Sequence, residues 1–177
     1  MSGILTFRNR HRTRRVNLRF LRRIAQALLR DTSPNESFDL GVYLVAAPEM
    51  TRLNETFLRH HGSTDVITFD YAEGAASVSR LSGSGATTGR AKDRQDACPA
   101  LLHGEIFICL DEAVSQARRY HATWQSEVVR YLVHGVLHLM GHDDQDRQSR
   151  RQMRAAENAQ VRRLSRQFDF QRLGRKS

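Results

Sequence analysis

The sequence predicts an α+β fold in which a small mixed β-sheet packs against several helices. Three observations carry this. Short segments rich in β-branched and aromatic residues alternate with longer segments whose apolar residues recur at helical spacing. One helical segment, residues 128–140, is apolar nearly all round and needs a core to enclose it. The chain has 177 residues, enough for one domain with a real core, and shows no internal repeat.

The elements follow in order. Residues 4–8 read as a strand, with Ile4, Leu5 and Phe7 at strand-like spacing. Residues 16–30 read as an amphipathic helix, because Leu18, Leu21, Ile24, Ala25, Leu28 and Leu29 share one face. Pro34 and its turn-forming neighbours stop it. Residues 39–46 form a second strand, and Pro48 opens a helix to about His60, ended by Gly62. Residues 65–71, DVITFDY, are a strand by composition. Residues 104–110, GEIFICL, are another, and Asp111 is expected to cap the helix that follows. Thr123 or Ser126 starts the apolar helix, Gly141 ends it, and a last Arg-rich helix covers roughly residues 145–167. Residues 72–101 include SRLSGSGATTGRAKDRQDACP, which is too poor in apolar groups to order itself. They are expected to be a flexible insertion within a single domain spanning 1–177.

Composition narrows the function. The net charge is +9, with arginines crowded toward both ends, so a polyanionic partner is compatible. Only Lys92 and Lys176 are lysines, so part of the arginine excess can be a compositional bias of solvated surface. The best apolar run, residues 131–140, is broken by His134 and His138, which excludes a membrane span there. The first fifteen residues lack the apolar stretch of a secretory signal. Cys98 and Cys109 form no CxxC pair, so free thiols in a reducing cytoplasm are expected. Aromatic residues are 7% of the chain, so no stacking platform is evident, and Phe57, Tyr71 and Trp124 read as core residues.

The chemistry concentrates in residues 134–144, HGVLHLMGHDD. His134 and His138 are four apart, which places both imidazoles on one helical face where they can grip one metal. Gly141 lets the chain turn back, and Asp144 lies ten residues after His134. His-x3-His-x2-Gly-x2-ligand is the spacing of the metzincin frame, with Asp in place of its third His. The sequence therefore predicts a metzincin-like metal-binding helix-turn. Three protein ligands leave a fourth position for water, as in catalytic sites. A zincin peptidase has its general-base Glu directly after the first His, and here that position is Gly135.

HGVLHLMG resembles the HGxLHLxGxDH signature of the YbeY family of bacterial metal-dependent endoribonucleases. The segment at residues 53–71 is similar to that family's LN-x2-YR-x2-D-x-PTDVLSF, matching at Leu53, Asn54, Thr64, Asp65, Val66 and Phe69, and GEIFI resembles its GDI-x-I strand. The resemblance implies a single-strand-specific endoribonuclease in 16S rRNA 3′-end maturation and ribosome quality control. It implies Zn²⁺, one ion per chain, held by His134, His138 and Asp144. Another divalent metal is compatible, because the third ligand is Asp rather than the family's usual His. The implied partners are single-stranded RNA, the rRNA precursor, and the ribosome or its small subunit, with no membrane and a cytoplasmic location.

Three departures bear on the site. The family's Tyr before the motif's Asp is His142 here, which makes His142 a competing third ligand. Asp143 is expected to make a supporting or capping bond, and Asp65 to brace its strand. The family's Arg after the aromatic of LN-x2-YR falls on Leu58, so Arg59 is the candidate phosphate-binding catalytic residue if the local helix rotates. A metzincin-like metallopeptidase and a non-catalytic ribosome-binding protein are the alternatives, and Gly135 counts against the first.

Overall fold

The computed structural model describes residues 3–34, 37–71, 77–80 and 101–174. Five strands form one mixed sheet in the order β1-β2-β5-β3-β4. β1 (Gly3–Asn9), β2 (Ser37–Val45) and β5 (Leu101–Cys109) run parallel, while β3 (Val66–Asp70) is antiparallel to both β5 and β4 (Ser77–Arg80). The expected α+β fold is the one observed.

Strand alternation gives the sheet two apolar faces. Leu5, Phe7, Leu40, Val42, Leu44, Ile106 and Ile108 point toward α1 (Leu18–Thr32) and α4 (Trp124–Leu139) in the main core. Val45, Ile67, Phe69, Phe107 and Cys109 form a smaller cluster on the other face, with Met50 of α2 (Ala47–Leu53). α4 is the central helix: ten of its residues from Val128 to Leu139 are buried, which explains its continuous hydrophobicity. α3 (Leu110–Arg119) and α5 (Arg147–Gln167) flank it.

Three expectations change. Asp111 does not cap α3, whose N-cap is Cys109; its carboxylate instead accepts from the Ala47 N–H at 2.7 Å and meets His11 Nε2 at 3.0 Å. The tertiary contact wins because both carboxylate oxygens find partners there. Within the segment 72–101, expected to be a flexible insertion, Ser77–Arg80 forms β4, paired through its backbone with Ile67 to Asp70, and Leu101 opens β5. Residues 72–76 and 81–100 lie outside the described residues. Finally, the helix after Pro48 stops being α-helical at Leu53 and continues as a π-helical turn, Asn54–Leu58.

Candidate metal centre

α4 positions the two histidines. Thr123 caps its start, with Thr123 Oγ1 accepting from Ser126 N–H at 3.2 Å. His134 is buried and His138 half-buried, with ring centroids 4.5 Å apart. Their Nε2 atoms approach to 2.8 Å. His134 Nδ1 lies 3.1 Å from Glu157 Oε2, and His138 Nδ1 lies 3.0 Å from the carbonyl oxygen of His142.

These outer bonds fix the inner atoms. A carbonyl can only accept, so His138 Nδ1 carries its proton and donates. Burial opposes ionisation of Glu157, but the bonds from His134 and Arg130 outweigh it and hold its carboxyl below the ordinary range. The carboxylate therefore accepts from His134 Nδ1–H, and Arg130 pairs with its other oxygen while also donating to Asn158 Oδ1 at 3.0 Å. When both Nδ1 atoms are protonated, both Nε2 atoms present lone pairs. Burial, and next the neighbouring His134, push the His138 pKa down to about 3, so His138 stays neutral.

The turn after α4 supplies the third group. The helix ends at Leu139, and Gly141 adopts φ 85°, a left-handed conformation that glycine takes without a Cβ clash. His142 N–H bonds back to the Leu137 carbonyl at 3.0 Å. Asp143 Oδ1 then accepts from Asp144 N–H at 2.7 Å and Gln145 N–H at 3.2 Å, so Asp143 braces the turn as expected. Arg150 reaches back to the carbonyls of Asp144 and Gln145, each at 3.2 Å. Asp146 caps α5 through Gln148 N–H and Ser149 N–H. The return brings one ligand atom each of His134, His138 and Asp144 within 4.8 Å of one another. His142 is outside this cluster; what it contributes is its backbone oxygen. Burial, with some help from Asp143, raises the Asp144 pKa, and His134 opposes the shift.

The donor set fits a divalent metal. Two lone pairs at 2.8 Å repel unless a cation lies between them, either a proton or a metal ion. A half-buried carboxylate beside them supplies negative charge, and the His₂Asp set suits Zn²⁺ and harder divalent ions alike.

Other expected residues fall less centrally. Asp65 braces β3 as expected: Oδ1 accepts from Val66 N–H at 3.0 Å and Thr64 Oγ1–H at 3.1 Å, and its carbonyl accepts from Cys109 N–H at 2.8 Å. Arg59 follows the π-helical turn with φ 54° and an exposed side chain, without a side-chain hydrogen bond or ion pair among the described residues. A π turn holds one residue more than an α turn. Phe57 is not a core residue: it is 54% exposed, although its ring meets Phe69 edge-on at 5.1 Å. Tyr71 and Trp124 are also only partly buried, Tyr71 donating to Glu105 Oε2 at 3.1 Å. Gly135 faces the sheet, where an added Cβ would stand 2.7 Å from Ile106 Cγ2. The position a zincin gives to its general base has no room here for a carboxylate.

Glu157 and Arg130 were not singled out from sequence. A signal existed: Glu157 is the only acid in α5 and shares its buried stripe with Met153 and Leu164. An acid on an apolar stripe asks for a buried partner.

Comparisons with known proteins agree with the resemblance. The family model described as Endoribonuclease YbeY matches residues 6–165. A relative named Endoribonuclease YbeY from Salinibacter ruber is 29% identical over 154 residues, covering 87% of each chain. Another of that name, from Syntrophotalea carbinolica, is 27% identical and covers 94% of this chain and 99% of its own. The solution structure of TM1509 from Thermotoga maritima shares the fold, with a TM-score of 0.58 at 20% identity, covering 93% of this chain and 91% of that one.

Proposed function

Because this chain belongs to the YbeY family and is thereby a metal-dependent endoribonuclease, we propose that His134, His138 and Asp144 hold its metal and that it cuts single-stranded RNA there. The observation that carries this is the convergence of one nitrogen from each imidazole and a carboxylate oxygen within 4.8 Å, with the two Nε2 atoms 2.8 Å apart. When bound, a divalent ion supplies Lewis acidity toward a water molecule and a phosphoryl oxygen. Glu157 and the His142 carbonyl orient the two imidazoles. Asp144 completes the grip from the turn. Arg59, one residue past the π-helical turn, offers its guanidinium to the scissile phosphate, where a planar fork matches two oxygens. Zinc is the first candidate metal, one ion per chain.

The reading extends to the rRNA precursor as substrate, with 16S rRNA 3′-end maturation and ribosome quality control as the setting. It also places the protein in the cytoplasm, in contact with the ribosome or its small subunit. The net charge of +9 supports a polyanionic substrate, and among the described residues no helix is long and apolar enough to cross a membrane. Against a metallopeptidase stands Gly135, packed on Ile106 with no carboxylate.

The test is metal content and RNA cleavage by the purified protein, wild type against His138→Ala. Wild type is expected to carry about one metal per chain and to cut single-stranded RNA, and His138→Ala to lose both. Undiminished cleavage by metal-free His138→Ala would overturn the mechanism. Casein cleavage without RNA cleavage would favour the peptidase, and RNA binding without cleavage the ribosome-binding protein.

A further inference from the structure

A second cationic surface lies at the other end of α4, about 15 Å along the helix axis from His134 at 1.5 Å per residue. There the segment after β1 and the outer face of α3 frame a pocket of about 570 Å³, lined by Arg14, Asp111, Val114, Ser115, Arg118 and Arg119. Arg14 holds its guanidinium 5.1 Å from the centre of the Trp124 ring, and its Nε is buried without a hydrogen-bond partner among the described residues. Arg118 and Arg119 stand exposed in the last turn of α3 and form no ion pair among the described residues. Asp111, the acid in the pocket, already has partners on both oxygens, His11 and the Ala47 N–H. Three guanidinium groups thus face one committed carboxylate, and the pocket has a net positive charge.

An exposed aromatic ring adjoins one of its arginines. Tyr120 is 64% exposed, and Arg119 lies 5.6 Å from its ring centre. An exposed tyrosine alone means little. Beside arginines it reproduces the pairing by which single strands are held, cations along the phosphates and a ring under a base. Stacking on Trp124 pre-orders Arg14, so a bidentate phosphate contact costs it less rotamer entropy.

We propose that this pocket binds the backbone of single-stranded RNA away from the cut, with Arg14, Arg118 and Arg119 on phosphates and Tyr120 stacked on a base. The proposal rests on the chain being an endoribonuclease. It gives the enzyme a hold on its strand separate from the metal centre.

The experiment measures binding of the full chain to a fluorescent single-stranded RNA of roughly 16 nucleotides, the upper site size for one single-strand-binding fold. A chelator prevents cleavage, and salt is varied. Arg118→Ala/Arg119→Ala is compared with Arg19→Ala/Arg30→Ala, which removes equal charge from exposed positions on α1. The α3 double variant is expected to bind more weakly and to flatten the slope of log affinity against log salt by about 1.4, roughly 0.7 per lost phosphate contact. Tyr120→Ala is expected to weaken binding about five- to hundredfold, and Tyr120→Phe to restore it, because stacking needs the ring and not the hydroxyl. Equal behaviour of the two double variants, or an unaltered Tyr120→Ala, would overturn the site while leaving the enzyme reading intact. Failure of wild type to bind or cut the strand would instead sink that reading.

Discussion

The Nε2 atoms of His134 and His138 lie 2.8 Å apart while both Nδ1 atoms are engaged by oxygen acceptors. Each outer bond commits an imidazole proton to the outside, so both lone pairs point inward. An acceptor-lined space of this kind selects a cation, and four groups from three stretches of chain build it: α4, the turn after it, and Glu157 of α5.

The third ligand can be decided by two single variants. Asp144→Ala is expected to lose most metal binding, because it removes the only carboxylate in the cluster. His142→Ala is expected to keep it, because His142 acts on His138 through its backbone oxygen, which the substitution retains. Metal content after dialysis reads both. The reverse pattern would make His142 the ligand.

Glu157→Ala is expected to weaken metal affinity about 10- to 100-fold, as loss of a ligand-orienting bond does elsewhere. Glu157→Gln should recover part of this, since an amide oxygen can still accept from His134 Nδ1–H. Competition against a metal-binding dye gives the dissociation constants, and circular dichroism checks the fold. Unchanged affinity in Glu157→Ala would show that packing alone orients His134.

Gly135→Ala brings helix propensity and packing into opposition. Alanine gains about 1 kcal/mol over glycine in a helix. Its Cβ would meet Ile106 Cγ2 at 2.7 Å, and overpacking of a dense core costs about 1–3 kcal/mol. A net loss is expected, seen as a lower Tm. In a double-mutant cycle with Ile106→Ala the double variant should lose less than the sum of the two single losses. A raised Tm for Gly135→Ala would refute the packing account.

Asp111 links stability to pH. Burial alone would raise its pKa, but the Ala47 N–H and His11 outweigh burial and hold it below the ordinary carboxylate range. Its folded pKa is thus below its unfolded value of about 3.9. The stability it contributes is therefore complete above the unfolded value and is lost as pH falls through the folded one. Thermal melts of wild type and Asp111→Asn between about pH 6 and pH 2 should show the wild-type advantage shrinking with acid. A gap that stays constant across that range would mean the Asp111 charge does no work.

Much of the site was legible because it is local. His134, His138 and Gly141 lie within eight consecutive residues, and helical geometry plus one left-handed residue fixes their relation. Asp144 follows by the same chain-length argument. Glu157, 23 residues beyond His134, could not be placed this way, because its position depends on how α5 docks on α4. The π-helical turn before Arg59 was equally hidden: no composition rule separates NETFL from an ordinary helix end. β4 escaped too, since it is defined by its pairing with the backbone edge of β3, a relation between separate stretches of chain.

By itself, then, the sequence determined the α+β class, the apolar helix that becomes the core of the domain, and the paired histidines with their return turn. Periodicity and ligand spacing are short-range properties that survive in one dimension. The tertiary structure decided which acid orients His134, that Asp111 serves α2 and His11 instead of capping α3, and that Gly135 is there to let α4 approach Ile106. Those outcomes depend on distances between elements far apart in the chain, and packing sets such distances only once the whole core has formed.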